Sequence, residues 1–175
     1  MSGMLPSSIR DGRHYYRLRV YFEDTDAGGI VYHANFLGFA ERARTEALRD
    51  LGVPHAELVR EFGLIFVVRR AKLDYLRPAR LDEELVVATE GVALAGASIA
   101  LRQTFLRAGE EQPLAVVDLL LACVRLADHR PARLPVRWRE AFARLVGSGN
   151  TGGGNTGVSD TAIGPGKGRR EEGVG

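Results

Sequence analysis

Residues 35–51, NFLGFAERARTEALRDL, form the stretch that most restricts what this chain can fold into. Phe36, Ala40, Ala43, Ala47 and Leu51 recur every three or four positions, so the spacing predicts a helix with one apolar stripe, widened by Leu37 and Leu48. Glu41, Arg42, Arg44, Glu46, Arg49 and Asp50 fall mostly elsewhere on the wheel. Asn35 is the candidate N-cap, and Gly52 with Pro54 just beyond it marks the stop. A stripe made largely of alanine keeps the buried side chains short, so this helix suits close approach to a sheet that covers it.

The remaining pattern supplies such a sheet. Residues 14–23 alternate, with Leu18, Val20 and Phe22 on one face and Arg17, Arg19 and Tyr21 on the other, as in a half-buried strand. Residues 54–62 read as a short second helix ending at Gly63. Four strand-like segments follow, LIFVVRRAKLDYL, EELVVATEGVAL, SIALRQTFLRA and LAVVDLLLACVRLA, punctuated at Pro78-Ala79-Arg80, Gly96 and Gly109-Glu110-Glu111. Their short connections predict an antiparallel meander. Residues 133–146 close with a short amphipathic helix carrying Trp138, Phe142 and Leu145. The expectation is an α+β fold of the hotdog type, one antiparallel five-stranded sheet wrapped around a long central helix, over residues 13–146.

The ends differ in character. Residues 1–12 are polar, carry Gly3, Pro6 and Gly12, and read as a flexible leader without the apolar core of a signal peptide. From Gly147 the last 29 residues hold 11 of the 21 glycines and few large apolar groups, which predicts a disordered tail over 147–175. Its Gly-Pro-Gly-Lys-Gly has no strand before it and no helix after it, so it is not read as a phosphate loop. A net charge of +2, with 24 basic residues against 22 acidic, gives no sign of nucleic-acid binding. No apolar run reaches the ~18 residues of a membrane helix. The lone Cys123 lies in an apolar run and reads as packing in a reducing, cytoplasmic compartment. His14, His55 and His129 are scattered and none has metal-site spacing, so neither metal nor cofactor is expected. Asp118, within the apolar run 114–124, finds no role at this level.

Between the first strand and the long helix lies EDTDAGGIVYHAN. Asp and Gly at a strand end are ordinary turn residues. Here, however, Asp26 precedes Gly28-Gly29 and a helix start follows. A helix N-terminus offers unpaired N–H groups to a carbonyl oxygen gaining negative charge. A carboxylate beside it can attack the carbonyl or take a proton from water. If strand alternation continues, Asp24 and Asp26 share the side of Phe22. Asp26 is the better placed of the two because it directly precedes the turn.

The run RVYFEDTDAGGIVYHANFLGFAERARTEALRDLG resembles the signature of the 4-hydroxybenzoyl-CoA thioesterase family, and within it the acyl-CoA thioesterases associated with the bacterial Tol–Pal envelope system. The likeness continues through FVVRRAKLDYLRPARLDEELVVAT and covers residues 15–140. It implies a hotdog homodimer or homotetramer with sites between subunits, hydrolysing an acyl-CoA thioester. It implies Asp26 as nucleophile or general base, the His33 backbone N–H as the group that polarises the thioester carbonyl, Gly29 shaping the turn, and Tyr32 and Asn35 lining the site. Phe22 stands where some relatives carry a tyrosine four residues before the aspartate. The basic cluster that some relatives use for the CoA nucleotide, expected near residues 95–99, is missing. Arg69, Arg70, Arg130 and Arg133 are the candidates for phosphate contacts in its place.

Other readings stand beside this one. Glu41 and Glu46 point to no chemistry by themselves and read as a solvated helix face paired with arginines, although some hotdog thioesterases place a catalytic carboxylate on the helix. A non-catalytic acyl-thioester binding or scaffold module in an envelope or lipid-synthesis complex has no need of Asp26. A hydratase or dehydratase would use paired Asp and His side chains on a carbon–carbon bond.

Overall fold

The computed structural model of the chain describes residues 7–146. The order is β1 (Ser8–Arg10), β2 (Arg13–Arg19), α1 (Asn35–Asp50), α2 (His55–Phe62), β3 (Leu64–Tyr75), β4 (Glu84–Leu94), β5 (Ser98–Arg107), β6 (Pro113–Arg125) and α3 (Val136–Ala143). All six strands form one antiparallel sheet in the order β1-β2-β4-β5-β6-β3, and α1 packs along it. This is the expected hotdog arrangement with one strand more than expected. The extra strand, β1, lies within the residues expected to form a leader. Asp11 (φ 50°) and Gly12 (φ 72°) both adopt the left-handed region, which makes a tight hairpin turn and folds Ser8–Arg10 back onto β2. The rest of the expected leader (1–6) and the expected tail (147–175) lie outside the described residues.

The meander holds only for β4, β5 and β6. Residues 76–83 carry the chain from β3 past the others, so that β3 pairs with the far side of β6. The long, almost wholly apolar β6 thereby gains a neighbour on each side, and β3 becomes an edge.

Sheet alternation sorts the charges. Arg13, Glu90, Arg102, Asp118 and Lys72 are cross-strand partners in one row over β2, β4, β5, β6 and β3. Arg13 Nε donates to Glu90 at 2.6 Å, and Arg102 holds Asp118 with two bonds at 2.7 and 3.0 Å. That ion pair gives Asp118 its role and, through those bonds, holds its carboxyl below the ordinary range. The neighbouring row, His14, Thr89, Gln103, Val117 and Leu73, faces the other side, and its first four members are buried.

The helix departs from the wheel in three places. Asn35 is the first helical residue and Ala34 the N-cap, because the Asn35 side chain is engaged elsewhere. Leu37 is 43% exposed while Phe39 is buried, which turns the stripe slightly from its expected centre. Arg44, expected on the solvated face, is 8% exposed. It sits four residues after Ala40 and three before Ala47, hence on the covered side. It is satisfied there by Gln103 Oε1 at 2.8 Å and by Glu41. Glu46 pairs with Arg49 as the solvated-face reading expects. Cys123 is fully buried, and burial pushes its thiol up. The last helix is shorter than expected, and Val146 leaves it to bridge Gly91.

Candidate active site

Strand alternation does not reach the acids. β2 ends at Arg19, and Phe22–Asp24 form one turn of 3-10 helix. The turn separates the two aspartates. Asp24 is buried at 7% exposure, its Oδ2 accepts the Tyr21 N–H at 2.9 Å, and its carbonyl accepts the Tyr32 N–H at 2.8 Å and Asn35 Nδ2 at 2.9 Å. Asp24 therefore ties the loop to the start of α1.

Asp26 is exposed. Its N–H donates to the Ile30 carbonyl at 2.9 Å and its carbonyl accepts the Gly29 N–H at 3.0 Å, which closes a tight turn. Gly29 (φ 70°) takes the left-handed conformation that this turn needs. The Gly28 N–H donates to Asp26 Oδ1 at 2.8 Å, and a Cβ at Gly28 would sit 3.1 Å from that oxygen. Glycine at 28 thus lets one carboxylate oxygen be held, while Oδ2 has no partner among the described residues. The returning limb docks on residues 79–80 through the Val31 N–H to Ala79 carbonyl bond at 2.8 Å and a bridge between Ile30 and Arg80.

The returning limb leads into α1 through Tyr32 and His33, both exposed, with ring centroids 4.3 Å apart. The Asn35 N–H donates to the Tyr32 carbonyl at 2.9 Å. The His33 and Ala34 N–H groups have no acceptor among the described residues. The Asp24–Tyr32 bond sets the relation of the two candidates. Asp26 lies two residues beyond it on one limb and His33 one residue beyond it on the other. Their backbones are therefore on the order of 10 Å apart at about 3.3 Å per extended residue, a gap that an aspartate side chain and a thioester group can fill.

Asp26, Gly29, Tyr32, His33 and Asn35 are thus brought together. Arg69 and Arg70 are not. They are exposed on β3, and five or six residues separate them from Tyr75, about 17–20 Å of strand. Tyr75 is the residue that sequence reasoning missed. Its hydroxyl donates to the His33 carbonyl at 2.9 Å, and its ring meets those of His33 and Phe36 edge-on at 6.5 and 5.7 Å. Desolvation pushes its phenol up from the ordinary value, so it is a neutral donor. In KLDYL it reads as one more strand aromatic, and only the docking of β3 beside the helix start reveals it. Among the described residues no group of three His, Cys, Asp or Glu side chains is placed to hold a metal, and no helix is long and apolar enough to cross a membrane.

Comparison with known proteins bears on the same region. The family model of the thioesterase-like superfamily matches residues 20–144. An acyl-CoA thioesterase YbgC of Haemophilus influenzae is 42% identical over 135 residues, 77% of this chain and 98% of that protein. An acyl-CoA thioester hydrolase YbgC of Escherichia coli is 42% identical over 118 residues, 67% of this chain and 87% of that protein. Among solved structures, a probable thioesterase from Bartonella henselae is 36% identical with a TM-score of 0.66, over 70% of this chain and 99% of that one.

Proposed function

The chain belongs to the thioesterase-like superfamily, and from that premise we propose that it is an acyl-CoA thioesterase, cleaving an acyl-CoA thioester to CoA and a free carboxylic acid. The observation that carries the reading is the geometry at Asp26. Its carboxylate has one oxygen held by the Gly28 N–H and one left over, on a turn whose other limb delivers the unpaired His33 N–H at the start of α1. As a general base, Asp26 takes a proton from water while the hydroxide adds to the carbonyl carbon. As a nucleophile, Asp26 adds directly, and water later cleaves the resulting anhydride. In both routes the carbonyl π electrons move to oxygen, where the His33 N–H stabilises the charge. Collapse then breaks the C–S bond, and the CoA thiolate leaves and is protonated.

The site is open on one side. Tyr21, Phe22, Tyr32 and Tyr75 are 47–81% exposed around it, and β3 is a 12-residue edge with its outer side unpaired among the described residues. A second copy pairing along β3 covers such an edge. Antiparallel pairing about a two-fold near the middle of β3 would gather Arg69 and Arg70 of both chains at the axis. It would also bring the Tyr75 end of one chain to the Leu64 end of the other. That supports a homodimer, alone or within a homotetramer, with sites between subunits and the arginines as phosphate contacts across the interface. Tyr32 and Asn35 line the acyl-thioester site. The cytoplasm is the compartment where an acyl-CoA and an unpaired Cys123 coexist.

A panel of acyl-CoAs of graded chain length, with aromatic members, assayed with a thiol reagent tests the activity. Thiol release from the wild type is expected, and Asp26→Asn, which keeps an oxygen for the Gly28 N–H, lowers kcat by about 10³-fold or more with folding intact. Saturable binding without thiol release would establish the scaffold reading instead. An unchanged rate in Asp26→Asn would remove Asp26 from the mechanism.

A further inference from the structure

The carbonyl that Tyr75 holds is one half of a planar trans peptide whose other half is the Ala34 N–H. Fixing the oxygen from the β3 side fixes the N–H pointing the opposite way. The preceding peptide is fixed likewise, since the Tyr32 carbonyl accepts the Asn35 N–H at 2.9 Å and the His33 N–H lies across the same plane. Two successive N–H groups without acceptors among the described residues are therefore pinned from behind, one by a backbone donor and one by the Tyr75 hydroxyl. Donors held before the reaction stabilise a forming oxyanion without reorganising, and that is where their catalytic value lies.

The end of β3 does not need this hydroxyl for its own placement. Leu76 and Arg77 both donate backbone N–H groups to the Leu114 carbonyl, at 2.9 and 3.0 Å, and anchor the strand directly after Tyr75. Tyr75 itself is 51% exposed. A hydroxyl that the strand does not need for its placement, directed at a peptide that leads from the loop into α1, fits a role in the reaction.

We propose that Tyr75 is a positioning residue for thioester hydrolysis, aiming the Ala34 N–H as a second donor beside the His33 N–H to the thioester carbonyl oxygen. The inference rests on the thioesterase reading above, and its test separates the two. Wild-type thiol release decides the activity. Tyr75→Phe, which removes only the hydroxyl, decides the positioning role. Because the hydroxyl acts through a peptide, the expected loss in kcat is about tenfold, less than the roughly 10²–10³-fold of removing a donor outright. KM stays within about twofold, as expected for an interaction that is weak with bound substrate and strengthens as charge develops on the carbonyl oxygen.

The discriminating readout is the carbonyl stretch of a ¹³C-labelled acyl-CoA bound to Asp26→Asn. Adding Tyr75→Phe to that variant moves the band toward its frequency in free substrate. 3-Fluorotyrosine at position 75, a stronger donor of nearly the same shape, moves it the other way and serves equally if Tyr75→Phe folds poorly. An unmoved band, or a loss confined to KM, overturns the proposal. Absence of thiol release from the wild type with any acyl-CoA would instead overturn the thioesterase reading.

Discussion

Gln103 is the most connected buried side chain beneath α1, and replacing it tests how the helix is held. It is fully buried, its Oε1 accepts Arg44 Nη1 at 2.8 Å, and its Nε2 donates to the Ala40 carbonyl and to Thr89 Oγ1, both at 3.0 Å. Gln103→Leu keeps the volume and removes all three bonds. The bond to a charged partner is worth about 1.5–3 kcal/mol and the two neutral ones about 1 kcal/mol each, against which a buried leucine regains some 1–2 kcal/mol. The expected net loss is about 3 kcal/mol, most of it from leaving the Arg44 guanidinium in a desolvated place with one acceptor fewer. Burial already lowers the pKa of Arg44 against the opposing pull of Glu41. Arg44→Met keeps the aliphatic stem and strands Gln103 Oε1 instead, at a cost of about 2 kcal/mol. The double variant leaves neither Arg44 nor Gln103 stranded and loses only about 1–2 kcal/mol in all, the cost of the two neutral bonds to the Ala40 carbonyl and Thr89, because apolar replacement of both members of a buried pair is often close to neutral. Urea unfolding of the four proteins gives a coupling of about 3 kcal/mol. A coupling below about 0.5 kcal/mol would refute the view that these residues act as one network.

Two further outcomes concern other parts of the fold. Gly91→Ala places a Cβ 2.6 Å from Val146 Cγ2 and 3.1 Å from the Val146 backbone nitrogen, where Gly91 also donates its N–H to the Leu145 carbonyl at 2.8 Å. The segment after α3 must move outward, so thermal unfolding is expected to show a loss of about 2 kcal/mol. His55, half-buried with Glu41 and Arg44 facing it, has its pKa lowered, first by desolvation. The unfolded chain then binds a proton near pH 6.5 that the native state refuses, so the contribution is present above that pH and is lost as the pH falls below it. Unfolding measured from about pH 7.5 to 5 should show a steeper loss in the wild type than in His55→Gln.

Much of the fold is legible in the sequence because it rests on local periodicity. The four later strand segments and the helix stops at Gly52 and Gly63 fall where alternation, alanine spacing and glycine place them, whereas the first strand ends at Arg19, four residues before its alternation does. What escapes depends on contacts between distant residues. Nothing in LIFVVRRAKLDYL says that β3 bypasses β4 to pair with β6, since short connections favour neighbours and only the apolar length of β6 asks for two. The Asp11-Gly12 hairpin is different, because polar surroundings mask a strong turn pair that the sequence does contain. Arg44 escapes because a helical wheel assigns faces by hydropathy, whereas the partner that makes its burial tolerable, Gln103, is 59 residues away.

The candidate site shows the same division and gives it a physical reason. The motif singles out acids and glycines, but two aspartates two residues apart cannot be told apart by type. They are separated by the 3-10 turn at Phe22–Asp24, which commits Asp24 twice over, by side chain to Tyr21 and by carbonyl to Tyr32 and Asn35. That commitment leaves Asp26 at the tip with a single backbone contact to its carboxylate. The carboxylate that is tied down and the candidate carboxylate left with a free oxygen thus come from one short stretch of loop. Tyr75 reaches the same turn from a strand whose other neighbours give no hint of it. Local sequence therefore singles out the candidate carboxylate, and tertiary structure identifies what keeps its surroundings in place.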